Sequence, residues 1–234
     1  MSRYNAHRFM IQQVAQHLGS DLLSQVAFVG GCTTGLHITD EFTKEKVRYT
    51  DDVDLIIHVL GYPEWNRFSE QVTARGFKIS MEDEVNCRFR LGSLCVDFMP
   101  DDENVLGYSN RWYGDALATA QPYPMDNGII IRLVTPSYFL ATKFEAFKGR
   151  GNGDLLVSRD MEDILNLVDG REELLAEVKA AAPELKAYLS TEFTQLLAMS
   201  DINYLVQSTA DNDAGREEII FERLEQLAIS EMLE

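Results

Sequence analysis

The chain has 234 residues, 45% hydrophobic and 25% charged, a composition that excludes disordered, collagenous and small disulfide-scaffold proteins and suits one large domain or two small ones. A formal net charge of −17 weighs against sequence-independent nucleic-acid binding, which rests on surplus Lys and Arg, so a nucleic-acid partner would need a local basic patch. No apolar run is long enough to span a bilayer, the N-terminal segment lacks the features of a signal peptide, and Cys32, Cys87 and Cys95 form no CxxC pair; a cytoplasmic, reducing setting with free thiols is expected.

Taken in chain order, residues 5–18 space Phe9, Met10, Val14 and Leu18 as one face of a helix. VAFV (Val26–Val29) reads as a short buried strand ending at Gly30-Gly31, followed by a helix around Thr33–Phe42 and a charged loop through Lys44–Arg48. Val53–Val59 is the strongest strand signal. Residues 63–76 form a helix with Pro63 near its first turn and Gly76 as its stop. Asn86–Leu91 and Leu94–Met99 flank Gly92-Ser93 as a hairpin. NVLGYSNRWYGDA (104–116) offers Tyr108, Trp112 or Tyr113 to stack a base, or serves as a packed loop over a sheet edge. Ile129–Val134 adds a strand.

Thr135-Pro136 then opens a helix to about Lys148, GRGNGD (149–154) is a loop, and Ser158 caps the helix SRDMEDILNLV. All that follows Arg171 reads as helical, and the eight carboxylates against Arg216 and Arg223 in 211–234 suggest a solvated helix or tail. The expected plan is α/β (α+β): a mixed-sheet domain over 1–135 and an all-helical C-terminal domain over 136–234.

The chemistry centres on DDVDL. Strand alternation sends Asp52 and Asp54 to one face, roughly 7 Å apart, with Val53 and Leu55 on the other. Two such carboxylates beside Leu55-Ile56-Ile57 are costly to bury alone, and a hard divalent cation is a common remedy; a polar strand start facing solvent is the plainer alternative. In LCVDFMP, Asp97 interrupts an apolar strand. If that strand lies beside Val53–Val59, a third carboxylate converges on the first two, and three can hold metal ions that clamp both oxygens of a phosphoryl transfer. The competing reading pairs a buried Asp97 with Arg88, Arg90 or Arg132. Gly30-Gly31 between a strand and a helix lets backbone approach a phosphate closely, though a Gly-Gly after a strand mostly marks a tight turn. Lys143, in a largely apolar helix, either snorkels to solvent or points into a cleft. Asp160 and Asp163 are adequately explained by a helix N-terminus. His7, His17, His37 and His58 have no ligand spacing, and no Walker motif or nucleophile elbow occurs.

Gly30-Gly31, Asp52-Val53-Asp54 and Asp97 together resemble the nucleotidyltransferase superfamily: strand, Gly-Gly or Gly-Ser, helix, Asp-x-Asp, and a third Asp on a later strand. ATKFEAFKGRG followed by SRDMEDI extends the likeness, over residues 25–170, to the AbiEii/AbiGii-type toxins of toxin–antitoxin pairs. One departure is the twenty residues between Gly31 and Asp52, longer than the superfamily's usual spacing. The resemblance implies Mg²⁺ (or Mn²⁺) on Asp52, Asp54 and Asp97, a nucleoside triphosphate seated by Gly30, Gly31, Thr33 and Lys143, and Asp160 and Asp163 near the site. It implies transfer of a nucleoside monophosphate to an acceptor hydroxyl, with RNA or a tRNA end as acceptor and an antitoxin protein as partner. The acidity favours instead a protein or a small-molecule, aminoglycoside-type acceptor, and a non-catalytic member binding a nucleotide or a protein is the other alternative.

Overall fold

The computed structural model describes residues 2–80, 83, 86–150 and 153–229. Its elements begin with α1 (Arg3–Leu23), β1 (Val26–Val29), a 3₁₀ turn (Gly31–Thr33), α2 (Thr34–His37), α3 (Glu41–Lys46), β2 (Asp52–Ile57) and α4 (Tyr62–Ala74). There follow β3 (Arg88–Leu91), β4 (Leu94–Pro100), α5 (Glu103–Leu106), α6 (Tyr113–Thr119), β5 (Gln121–Pro124) and β6 (Ile130–Leu133). The remainder is α7 (Pro136–Gly149), α8 (Arg159–Gly170), α9 (Leu174–Lys179), α10 (Pro183–Leu197), α11 (Ile202–Thr209) and α12 (Ala214–Ala228). The fold is a mixed α/β one, and beyond β6 the described regular elements are helices. These elements group into two compact units, Met1–Thr33 with Tyr49–Thr135, and Thr34–Arg48 with Pro136–Glu234. No helix among the described residues is long and apolar enough to cross a membrane.

The first unit carries a six-stranded sheet in the order β3-β4-β2-β1-β6-β5. β2 runs parallel to β4 and antiparallel to β1, β1 is parallel to β6, and the hairpins β3–β4 and β5–β6 close the two edges. All four residues of β1 are buried, as a central strand covered on both faces requires. Phe98 of β4 anchors one face of the core, with ring centroids of Phe68, Phe77 and Phe89 at 5.1, 5.5 and 5.5 Å, each near perpendicular to it.

Several expectations are corrected here. The segment 33–48 is three short pieces rather than one helix and a loop, because Asp40 accepts from the Thr43 backbone N–H at 2.8 Å and caps a new helix through Lys44–Lys46. Residues 104–116 hold most of α5 and the start of α6, joined by a loop over 107–112. Strand β5 escaped the sequence reading because Pro122 and Pro124 argue against a strand; both are tolerated at a sheet edge. Within the expected 149–154 loop, Gly151 and Asn152 lie outside the described residues.

The second unit is built on α7 and α8, with Ser158 accepting from the Met161 N–H at 3.2 Å as expected of a cap. α12 is half solvated and half core: Ile220, Leu224 and Leu227 are buried, and Arg216 and Arg223 fold back onto α8 instead of facing solvent. The segment 34–48 docks on the C-terminal end of α8, where the Gly170 carbonyl accepts from Thr39 and Asp40 N–H, each at 2.9 Å. A Cβ on Gly170 would lie 2.6 Å from Ile38 Cγ2 and 2.8 Å from Thr43 Cγ2. Gly170→Ala is therefore expected to lose about 1–3 kcal/mol by overpacking, read as a lower urea midpoint at unchanged slope.

Candidate active site

In the sheet unit, the parallel register of β2 and β4 sets Asp54 beside Asp97 and Asp52 beside Cys95. Alternation buries Val53 and Leu55 completely on the other face and leaves Asp52 and Asp54 partly exposed. Asp97, 7% exposed, sits between the fully buried Val96 and Phe98. Each of Asp52, Asp54 and Asp97 offers a carboxylate oxygen, and these oxygens lie within 4.8 Å of one another.

The Gly-Gly turn belongs to the same cluster. Antiparallel pairing of β1 with β2 puts Val29 opposite Asp54, so the next residue, Gly30, meets that aspartate. Gly30 has φ +78°, and a Cβ built on it would fall 1.8 Å from Asp54 Oδ2 and 2.6 Å from Cγ. Glycine is required twice over, by conformation and by contact. Thr33 closes the turn: its N–H and hydroxyl both donate to the Gly30 carbonyl, at 3.0 and 2.8 Å, and the residue is fully buried. From α1, buried His7 accepts the Thr50 N–H on Nε2 at 3.2 Å, and the Thr50 hydroxyl donates to Asp52 Oδ1. His7 and Thr50 thus position the first carboxylate, a role that histidine spacing could not reveal.

Asp97 has an ionic partner. Arg88 Nε donates to Oδ1 at 2.8 Å and Nη2 to Oδ2 at 2.7 Å, and the same Nη2 stands 3.5 Å from Asp52 Oδ2. The hydrogen bond and charge of Asp97 hold the Arg88 guanidinium above its ordinary pKa, against the opposing effect of burial. Of the three arginines considered, Arg90 pairs with Asp83 and Arg132 donates to backbone carbonyls. The deciding signal lay in the hairpin: a two-residue turn at Gly92-Ser93 pairs 91 with 94 and, counting outward, 88 with 97. Burial pushes the neighbouring Cys87 thiol up to about 11, and the charges of Asp97 and Asp54 add to that, so the anionic donors here are carboxylates. Those hard oxygens suit Mg²⁺ or Mn²⁺, and the two bonds from Arg88 use only two of about four lone-pair positions on Asp97. Of the three candidate stacking aromatics, Trp112 is buried, the Tyr113 hydroxyl donates to Met99 Sδ at 3.0 Å, and Tyr108 is half exposed with its hydroxyl 3.4 Å from Cys87 Sγ.

The helical unit holds a second ionic cluster. Lys143, which the resemblance assigns to the triphosphate, is 6% exposed and does not snorkel. Its Nζ donates to Asp163 Oδ2 at 2.6 Å and Asp160 Oδ1 at 3.2 Å. Arg48 Nη2 adds a bond to Asp163 Oδ2 at 3.0 Å, the Thr34 hydroxyl one to Oδ1 at 3.0 Å, and Arg150 reaches Asp160 at 2.8 Å. Burial alone would lower the Lys143 pKa; the charges of Asp163 and Asp160 outweigh it and hold it raised. Burial likewise opposes ionisation of Asp163, which Lys143 and Arg48 keep below the usual carboxylate range. Arg48 was missed by the sequence reading, yet charge balance asked for it, since one lysine cannot neutralise two buried aspartates. A cavity of about 830 Å³ in this unit is lined by six carboxylates against three cations, a lining suited to cations rather than phosphate.

The chain matches no protein-family model and no curated protein. Among solved structures, a solution structure of the antibiotic-resistance factor ANT(2'')-Ia is similar at a TM-score of 0.45, with 12% identity over 83% of this chain and 95% of that one. The functional reading therefore rests on this chain's own residues.

Gly30→Ala is expected to drive Asp54 out of the cluster. Far-UV circular dichroism should be preserved, and Mn²⁺ affinity by calorimetry should fall about 10–100-fold, the size typical of disturbing a ligand's support.

Proposed function

We propose that this chain is a metal-dependent nucleotidyltransferase that moves a nucleoside monophosphate from a triphosphate to an acceptor hydroxyl. The observation that carries this reading is the meeting of Asp52, Asp54 and Asp97 oxygens within 4.8 Å, directly against the Gly30 turn. Three carboxylates at that separation repel one another strongly unless cations sit among them.

In this reading Asp52, Asp54 and Asp97 hold Mg²⁺ or Mn²⁺, which when bound supplies charge neutralisation for the phosphates and acidifies the acceptor hydroxyl. The Gly30-Gly31 turn, with Thr33 closing it, lets backbone approach the triphosphate. Asp97 accepts the acceptor's proton, the acceptor oxygen bonds to the α-phosphorus, and the bond from that phosphorus to the bridging oxygen breaks to release pyrophosphate. Lys143, Asp160 and Asp163 enter as a buried ionic cluster that supports the helical unit; contact of Lys143 with the triphosphate would require its ammonium to leave both carboxylates.

The finer identity comes from the resemblance alone: an AbiEii/AbiGii-type toxin acting in the cytoplasm on RNA or a tRNA end and opposed by an antitoxin protein. A net charge of −17 favours a small-molecule acceptor over RNA. A second reading, nucleotide binding without turnover, is favoured by one observation, the occupation of both Asp97 oxygens by Arg88.

Incubation with each labelled triphosphate, Mg²⁺, total RNA and small-molecule lysate separates these. Label should move to an acceptor only with metal present, and Asp54→Asn should reduce transfer more than about a hundredfold while its thermal midpoint stays near wild type. Full transfer by Asp54→Asn would remove the assignment, and metal-dependent nucleotide binding without transfer would select the second reading.

A further inference from the structure

The cluster already contains a cation. Asp97, held between Val96 and Phe98 in a buried stretch of β4, is costly to bury without a partner, and Arg88 supplies one. The same guanidinium reaches Asp52, so a single positive group leans on two of the three carboxylates that the metal-centre reading makes ligands. The backbones cannot separate easily, because β3 and β4 are joined by the two-residue turn at Gly92-Ser93 and register Arg88 directly against Asp97. The side chain can. Arg88 is 23% exposed, so its head group can turn to water without becoming an unpaired buried charge.

We infer that Arg88 is an internal counter-cation: it holds Asp97 and Asp52 together before metal arrives, and a divalent cation must displace it from Asp97 to bind. Arg88 is then a positioning residue whose charge weakens metal binding, rather than a permanent structural bridge that strengthens it. This rests on the metal-centre reading above, and the two fail in different ways.

The test is calorimetric titration of Mn²⁺ into the full chain, its Arg88→Gln variant and, as a control for the site, Asp54→Asn. Removing one unit charge a few ångströms from the metal in a partly hydrated site should tighten Mn²⁺ binding about tenfold in Arg88→Gln. Equal or weaker binding by a folded Arg88→Gln overturns the inference and leaves the metal centre standing. No Mn²⁺ binding by wild type, or undiminished binding by Asp54→Asn, overturns the metal centre and the inference with it. Should Arg88→Gln fail to fold, the wild-type chain still decides. The Arg88 Nε–H resonance, identified by its loss in Arg88→Lys, should shift on Mg²⁺ saturation as its bond to Asp97 is exchanged for water. A resonance unmoved at saturation overturns the inference.

Discussion

Mutual repulsion among Asp52, Asp54 and Asp97 is the constraint around which the sheet unit is organised. Their oxygens fall within 4.8 Å of one another, an arrangement that nearby cations and hydrogen-bond donors stabilise. The sheet's topology produces it: a parallel β2–β4 pair registers Asp54 against Asp97, and an antiparallel β1–β2 pair delivers Gly30 to Asp54. A glycine with φ +78° and no room for a Cβ is the structural cost of bringing a backbone turn against a carboxylate. His7, Thr50 and Thr33 then fix the surroundings through local hydrogen bonds.

The helical unit answers the same electrostatic problem by another route. Asp160 and Asp163 are buried, and they are neutralised by side chains, the buried Lys143, the mostly buried Arg48 and the exposed Arg150. Asp163 accepts from Thr34, Arg48 and Lys143 at once, which ties the segment following the Gly-Gly turn to α7 and α8. A buried ion-pair cluster of this kind contributes uniqueness of packing more than net stability. The sheet-unit cluster is more exposed, with Asp52 and Asp54 partly open to solvent and Arg88 23% exposed.

Much of this was legible in the residues. The period-two pattern of DDVDL placed two carboxylates on one face, and Asp97 inside an apolar run announced a charge in need of a partner. The mixed α/β fold followed from a switch between strand-like and helical spacing. Strand neighbours were not legible, because periodicity says which face a side chain takes and nothing about which strand lies alongside; Asp54 opposite Asp97 is a tertiary fact. Arg88 could have been chosen over Arg90 and Arg132 by counting outward from Gly92-Ser93. The β5 edge strand was hidden by its prolines, and the helix at Glu41–Lys46 by charge density that outweighed the capping signal of Asp40.

The central claim, that three carboxylates from two adjoining strands share divalent metal, is tested most directly by anomalous diffraction from crystals soaked in Mn²⁺. The account predicts an anomalous peak about 2.0–2.2 Å from oxygens of Asp52, Asp54 and Asp97. Full-occupancy Arg88 still bridging Asp97 and Asp52, with no peak between the carboxylates at saturating Mn²⁺, would contradict it.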